Sequence, residues 1–200
     1  MPSYWRHFHY IAMKIILASA SPRRKELLAQ IVKDFEIIPA RGEEHADYSA
    51  PPELIARKLA ENKCDEVFLS HGGLVIGCDT IVVHEGKVLG KPKNYDDACK
   101  TLKSLSGKTH SVITGVCIRY KDRKSVKSET SKVTFNPLSD GFIKSYVDGG
   151  SPMDKAGSYG IQDEGVVASC NGSFSNVVGM PVELVKKMIE EVLEDDAFNN

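Results

Sequence analysis

The amino-acid sequence predicts an α/β protein with a mixed central sheet flanked by helices. Apolar runs typical of buried strands occur at residues 15–18 and 74–79, and segments with an apolar face, typical of helices, occur at 24–33 and 51–63. Two β-rich runs, 110–120 and 126–135, are joined by the polar residues 121–125 and predict a long antiparallel pair. Helices and strands that alternate around such a pair indicate a mixed sheet.

The other elements follow from turn and capping residues. The strand at 74–79 ends on a carboxylate and continues through 81–83 into a hairpin turn at 84–87. A helix begins at Asn94 or Asp96 and ends near Leu105, where Gly107 stops it. The remaining predictions are a strand at 35–39, a helix at 139–147, a glycine-rich segment at 154–165, a strand at 166–170 with a tight turn at 171–172, and a helix at 181–193.

These elements predict a single domain over residues 13–194. Residues 1–12 contain the chain's one tryptophan and lack both periodicity and the apolar core of a signal sequence, so we expect an appended leader. Residues 195–200 are expected to form an acidic tail.

Composition excludes several classes of protein. The 200 residues are 42% hydrophobic and 26% charged with a net charge of −1, which argues against a general nucleic-acid coat. No apolar run approaches the ~20 residues of a membrane span, so no membrane partner is expected. The five cysteines are scattered and include no C-x-x-C, which favours reduced thiols in a cytoplasmic protein.

The stretch at residues 19–25 is the clearest candidate for binding. Ser21 suits a helix N-cap and Pro22 the first helical position, and Arg23, Arg24 and Lys25 follow directly. Each cation beside a helix N-terminus costs roughly 0.3–1 kcal/mol, so their presence indicates that an anion, most plausibly a phosphate, binds there. The alternative is an exposed, solvated first turn.

Two kinds of charged residue accompany this stretch. Asp79 is predicted to lie at the end of an apolar strand, at the sheet edge where α/β proteins bind ligands, although it could cap a turn instead. Glu43 and Glu44 lie in a polar loop, and carboxylates from two loops can hold a magnesium ion. Lys63 and Lys91 are ordinary singly, but Lys91 stands between a glycine and a proline, which brings the backbone close to a ligand.

Two common phosphate motifs are excluded. Residues 107–109, Gly-Lys-Thr, are similar to the end of a P-loop, but Leu102 stands where that motif requires glycine. No G-x-G-x-x-G follows a strand. A phosphate site here is therefore neither a Walker A loop nor a dinucleotide fingerprint.

Seven motifs in order resemble the Maf family of nucleoside triphosphate pyrophosphatases, also called septum-formation proteins. They are Leu-Ala-Ser-Ala-Ser-Pro-Arg-Arg at 17–24, Leu-Ala-Glu-Asn-Lys at 59–63, Gly-Cys-Asp-Thr-Ile-Val at 77–82, Leu-Gly-Lys-Pro at 89–92, the segment 105–116, Asp-Lys-Ala-Gly-Ser-Tyr-Gly-Ile-Gln at 154–162, and Asn-Val-Val-Gly-Met-Pro at 176–181. The resemblance covers residues 14–193. It implies an ITPase/Maf-like fold with two lobes around a deep cleft, and a homodimer.

The resemblance also implies roles for individual residues. Asp79 takes the position of the proposed proton acceptor, and Glu44 that of an essential loop carboxylate. The phosphate-binding positions are Arg23, Arg24, Lys63 and Lys91. Ser19 and Ser21 shape the first turn and offer hydrogen bonds to the substrate. Lys25 has no such role and is expected to be solvated.

Three positions that separate the family's substrate branches read Arg23, Thr80 and Gln162, as in the branch that acts on dTTP and UTP. The 7-methyl-GTP branch carries Trp, Gln and Glu there. Two departures from the pattern matter. Arg-Gly-Glu-Glu at 41–44 leaves the choice between Glu43 and Glu44 open, and Asp163 replaces a glycine and is expected to add negative charge near the base.

The expected reaction is hydrolysis between the α and β phosphates, with Mg²⁺ or Mn²⁺ held by Glu44 and Asp79. Whether Asp79 acts as a general base or as a metal ligand stays open. The alternatives are a pyrophosphatase for another base, such as inosine or 7-methylguanine, and a non-catalytic nucleotide-binding regulator of cell division.

Overall fold

The computed structural model describes residues 13–42 and 45–194. The predicted leader, the acidic tail, Glu43 and Glu44 lie outside these residues. The strands are β1 Ile15–Leu17, β2 Glu36–Ile37, β3 Leu74–His84, β4 Lys87–Leu89, β5 Thr109–Tyr120, β6 Arg123–Phe135 and β7 Val167–Asn171. The helices are α1 Pro22–Leu28, α2 Pro52–His71, α3 Tyr95–Leu105, α4 Asp140–Asp148, α5 Phe174–Val178 and α6 Val182–Glu194.

The strands form the predicted mixed sheet, in the order β2-β1-β3-β5-β6-β7, and β4 pairs with β3. β1 runs parallel to both β2 and β3, whereas the pairs β3–β4, β3–β5, β5–β6 and β6–β7 are antiparallel. The long antiparallel pair β5–β6 is confirmed, with a turn shorter than predicted, since Tyr120 already faces Arg123.

Three predicted boundaries differ from the structure. The strand does not end at Asp79, because β5 pairs with β3 without a break from Val75 to Val83 and carries the strand through the carboxylate. Helix α1 begins at Pro22, as the capping residues predict, but it ends at Leu28 instead of residue 33. Helix α2 continues to His71, and the short helix α5 was not predicted.

Helix α2 packs unusually close to the sheet because two strand positions are glycine. A Cβ at Gly77 would lie 2.5 Å from the backbone oxygen of Ala60, and one at Gly115 only 2.0 Å from that of Ala56. Any larger side chain at these positions would push the helix away from β3 and β5. The glycines therefore set the height of α2 above the sheet.

One edge of β3 is open in its middle. β1 pairs with β3 only as far as Ile76, where the chain turns away into α1, and β4 begins to pair at Val82. Within residues 13–42 and 45–194, no strand pairs with residues 77–81 on this edge. The sheet thus has a gap between β1 and β4.

Separate apolar clusters lie on either side of this gap. Leu17, Leu28 and Ile76 belong to a cluster with α6, and Val82 and Leu102 belong to another with α4. On the opposite sheet face, α2 packs against both halves of β3, through Val75 and Ile81. These clusters form the two predicted lobes, and the gap between them is the cleft.

All five cysteines are free thiols, as the sequence predicted. Over the part of the chain that the structure describes, no helix is both long enough and apolar enough to cross a bilayer.

Candidate active site

A cavity of about 420 Å³ occupies the gap between the two lobes. Its walls come from α1, α2, β3, the segment after β4, the loop at 154–162 and the end of α5. Most of the predicted site residues line it: Ser21, Arg23, Arg24, Lys63, Asp79, Thr80, Lys91 and Gln162. Ser19 is buried and does not contribute to the lining.

Asp79 and Lys63 form a largely buried charged contact at the cavity. Asp79 is 8% exposed and points from β3 toward α2, where its Oδ1 accepts a short hydrogen bond from Lys63 Nζ. The contact depends on the close approach of α2 at Gly77 and Gly115, since Lys63 lies on that helix. A carboxylate in this position can accept a proton or bind a cation, and the ammonium beside it can bind a phosphate oxygen.

Thr80 points to the other face of the sheet, where it meets Arg24. Successive strand residues face opposite sides, so Asp79 and Thr80 bring groups from both faces to the open edge. Arg24 Nη2 donates to Thr80 Oγ1 at 3.2 Å, Nε donates to the Gly179 backbone oxygen at 2.9 Å, and Nη1 donates to Ser19 Oγ at 3.2 Å. Arg24 is therefore fixed by contacts to three separate segments.

Ser19 and Ser21 organise the turn that carries Arg24. Ser19 Oγ accepts from the backbone N–H of Ser21 at 3.2 Å, as well as from Arg24. Ser21 Oγ accepts from the backbone N–H of Arg24 at 3.4 Å, which confirms Ser21 as the N-cap of α1, with Pro22 at the first helical position. Lys25 is exposed, as expected.

Arg23 and Lys91 lie at the mouth of the cavity. Arg23 Nη1 pairs with Asp154 Oδ2 at 2.9 Å across the cleft. Burial raises the pKa of Asp154, but hydrogen bonds from Lys155 and Arg23 outweigh it and hold that pKa below its usual value. Lys91 is exposed and has no hydrogen bond or ion pair to another described residue. The mouth therefore offers cations to an entering anion.

The loop at 154–162 forms the remaining wall. Gln162 is exposed at the cavity. Asp163 does not line the cavity, and its carboxylate accepts hydrogen bonds from Tyr146, from Ser151 at 2.8 Å and from the Gly160 backbone at 3.1 Å. Asp163 instead ties this loop to α4 and the following turn.

Tyr159 is a lining residue that the sequence did not single out. Its hydroxyl bonds to His110 Nε2 at 2.8 Å, and its ring packs edge-on against Phe135. Burial raises the pKa of Tyr159 and lowers the pKa of His110 to about 4, so both are neutral near pH 7. Spacing alone could not have placed this pair beside the cavity.

The donors at the cavity fit a divalent cation that is shared with a bound phosphate. Magnesium is usually held by one or two carboxylates together with substrate phosphates and water. Asp79 offers a second carboxylate oxygen beyond the one bonded to Lys63. The described residues contain no group of three or more His, Cys, Asp or Glu able to hold a metal, and Glu44 falls outside them.

Comparisons with known proteins identify the family. A family model described as Maf-like protein matches residues 14–192. The dTTP/UTP pyrophosphatase of Carboxydothermus hydrogenoformans is 47% identical over 184 residues, covering 90% of this chain and 98% of the relative. That of Thermococcus gammatolerans is 44% identical over 178 residues, covering 88% of this chain and 95% of the relative.

A solved structure supports the predicted fold. The Ham1 protein of Staphylococcus aureus superposes with a TM-score of 0.54 at 14% identity, over 89% of this chain and 98% of the Ham1 chain. At this identity the likeness concerns the fold alone. The ordered motifs, the cleft and the family match agree, and the chain belongs to the Maf family.

Proposed function

We propose that this chain hydrolyses dTTP and UTP to the monophosphate and pyrophosphate in the cleft between its lobes. The observation that carries the proposal is the convergence of Arg24, Lys63 and Lys91 on one cavity whose floor holds the Asp79 carboxylate. Relatives of 44–47% identity that are named dTTP/UTP pyrophosphatases support the substrate.

The cations bind and polarise the triphosphate. A guanidinium presents five N–H donors in a planar fork, and the contacts of Arg24 use three of them. One N–H therefore remains on each Nη, and this geometry suits a phosphate with two oxygens. Lys63 and Lys91 add point charges that stabilise the negative charge on the leaving pyrophosphate.

Asp79 activates the water that attacks the phosphate. Its Oδ1 is bonded to Lys63, so its other oxygen accepts the proton or contacts the cation. Mg²⁺ or Mn²⁺, held by Asp79 and Glu44, supplies positive charge to the phosphate oxygens when it is bound.

We assign the base to the part of the cavity that Gln162 lines. The amide of Gln162 offers both a donor and an acceptor, which match the alternating edge of uracil or thymine. Arg23 and Thr80 complete the set of residues that we assign to substrate choice. Asp163 does not line the cavity, and its carboxylate is bonded to Tyr146 and Ser151.

We further propose a cytoplasmic homodimer that acts on free nucleotides and not on nucleic acid. The five free thiols suit a reducing compartment. The near-neutral net charge suits a small anionic substrate more than a polyanion. The dimer rests on the family resemblance, and light scattering tests it against the chain mass of 22.0 kDa.

The test is pyrophosphate release across a panel of dTTP, UTP, ITP and 7-methyl-GTP, with Mg²⁺ or Mn²⁺ present. We expect dTTP and UTP to have the highest kcat/KM. Fastest release from 7-methyl-GTP or ITP would overturn the assigned base. Tight binding of dTTP with no release by the parent chain would reject the enzyme and favour the nucleotide-binding regulator.

A further inference from the structure

A chain of hydrogen bonds leads from the cavity into the core behind it. Arg24 Nη2 donates to Thr80 Oγ1 at 3.2 Å, and Thr80 Oγ1 lies 2.9 Å from Thr114 Oγ1. Thr114 Oγ1 in turn lies 2.9 Å from the backbone oxygen of Asn176, to which it donates. Thr114 is 0% exposed and faces Thr80 directly across the β3–β5 pair.

The direction of this chain follows from counting protons. A hydroxyl has one proton, and a carbonyl oxygen can only accept. When Thr114 gives its proton to Asn176, Thr80 must give its own to Thr114, and the oxygen of Thr80 is left as an acceptor. The arrangement in which every donor has an acceptor therefore runs from Arg24 through Thr80 and Thr114 to Asn176.

We propose that Thr114 is a positioning residue for the pyrophosphatase reaction, because it keeps Thr80 an acceptor and so fixes the guanidinium of Arg24. The inference rests on the proposed function of the same cleft. Thr114 does not line the cavity, and it acts through its bonds to Thr80 and to the Asn176 backbone oxygen.

The same segment holds Arg24 from a second side. The Gly179 backbone oxygen accepts from Arg24 Nε at 2.9 Å, and the Gly179 N–H donates to the Asn176 oxygen at 3.0 Å. The side chain of Asn176 is anchored on the sheet by bonds to the Val112 backbone oxygen at 3.1 Å and to Ser131 Oγ at 2.9 Å. The guanidinium is thus held by a closed set of bonds, with one N–H left on each Nη for a phosphate.

Replacing Thr114 with valine removes its hydrogen bonds to Thr80 and to the Asn176 backbone oxygen. Thr80 loses the acceptor for its proton, so its hydroxyl can turn and present that proton to Arg24 in place of a lone pair. The guanidinium then loses one of its three anchors. We expect kcat/KM for dTTP to fall about tenfold, and the Kd of inorganic pyrophosphate to rise about tenfold.

Three variants separate positioning from general damage to the fold. Thr114→Ser keeps the hydroxyl and should restore both constants to within about twofold of the parent. Thr109→Val is the matched control: Thr109 is also on β5 and bonds to Thr134 across the strands at 2.8 Å, but lies outside the cavity. Thr114→Ala replaces valine if the latter does not fold, as judged by the thermal midpoint.

The deciding experiment combines Thr114→Val with Arg24→Met. Without the guanidinium, Thr114 has nothing to position, so the second substitution should change the Kd of pyrophosphate by less than about twofold. A further tenfold loss in the Arg24→Met background would overturn the proposal, as would unchanged constants for Thr114→Val alone. If the parent releases no pyrophosphate from dTTP, the proposed function fails, and the Kd series still decides the role of Thr114.

Discussion

Replacing Asp79 with asparagine tests the role of the carboxylate that is bonded to Lys63 on the cavity floor. The change keeps the shape of the side chain and its Oδ1, which can still accept from Lys63. It removes the charge that accepts a proton or contacts a cation. Because a positioned general base contributes roughly 10²–10⁴-fold, we expect kcat for dTTP to fall by at least about a hundredfold.

The effect on stability is expected to be small. A hydrogen bond to a charged group is worth about 1.5–3 kcal/mol, and the amide–ammonium bond that remains keeps one charged partner, so the change costs about 1 kcal/mol. For a chain of this size that lowers the melting temperature by about 2–4 °C. Without metal, nucleotide binding should not weaken, because a negative charge has been removed next to a polyanion.

The assay is pyrophosphate release at saturating dTTP with Mg²⁺, together with calorimetric titration of dTTP in the presence of a chelator. The matched control is Asp65→Asn, because Asp65 also lies on a charged contact, with Arg119 at 2.8 Å and Lys124 at 3.0 Å, but outside the cavity. Its kcat should stay within about twofold of the parent. If Asp79→Asn retains kcat within about tenfold of the parent, Asp79 neither accepts the proton nor holds an essential cation.

Three further predictions concern packing, binding and pH. Gly115→Ala places a Cβ 2.0 Å from the Ala56 oxygen, so urea denaturation should show a loss of about 3 kcal/mol or more, and kcat should fall as α2 moves. Lys91→Ala should raise KM for dTTP about tenfold or more, since the proposed bond between the Lys91 ammonium and a substrate phosphate is lost, and leave the melting temperature of the free protein unchanged. Burial lowers the pKa of His110 to about 4 in the fold, against 6.5 unfolded, so the unfolded chain binds the extra proton as pH falls through this range. Between pH 7 and pH 5 this removes about 2 kcal/mol of unfolding free energy, a loss that His110→Gln should not show.

Each of these has a matched control in the same chain. Gly141→Ala, in α4 with space around the new Cβ, should leave the free energy of unfolding unchanged or raise it. A loss as large as that of Gly115→Ala would show that the close packing of α2 is not its cause. Lys100→Ala, exposed on α3, should leave KM unchanged, and an equal rise would point to overall charge. His71→Gln, at the exposed end of α2, should keep the loss of stability between pH 7 and pH 5. If that loss disappears in His71→Gln, it does not arise from His110.

Much of the fold could be predicted because local rules and tertiary packing agree there. Ser21 and Pro22 begin α1 as capping preferences require. Two β-rich runs joined by a short polar segment predicted that β5 and β6 lie side by side. The strand end at Asp79 was wrong because pairing with β5 outweighs the polarity of one side chain.

The sequence predicted which residues belong to the site, but it did not predict the hydrogen bonds between them. The motifs that contain Arg24, Lys63, Asp79 and Lys91 assigned them to one cleft, and the structure brings them to one cavity. The bonds between them depend on the register of β3 with β5 and on the close packing of α2, which only the fold reveals. Glu44 lies outside the described residues, so its role stays a prediction.

Thr114 illustrates most clearly which residues cannot be recognised from the sequence alone. In the sequence it belongs to a segment similar to the family's central motif, with no chemical signal of its own. Only the pairing of Thr80 with Thr114 places its hydroxyl behind Arg24. A residue that acts through a neighbour cannot be recognised without the neighbour's position.

The most direct test of the central claim is the fate of the phosphates when the protein turns over dTTP in ¹⁸O-labelled water. Phosphorus NMR distinguishes the products and shows which phosphate carries the label. The proposed cleavage between the α and β phosphates, with attack at the α phosphorus, predicts labelled dTMP and unlabelled pyrophosphate. Formation of dTDP and inorganic phosphate, or no turnover of dTTP, would contradict it.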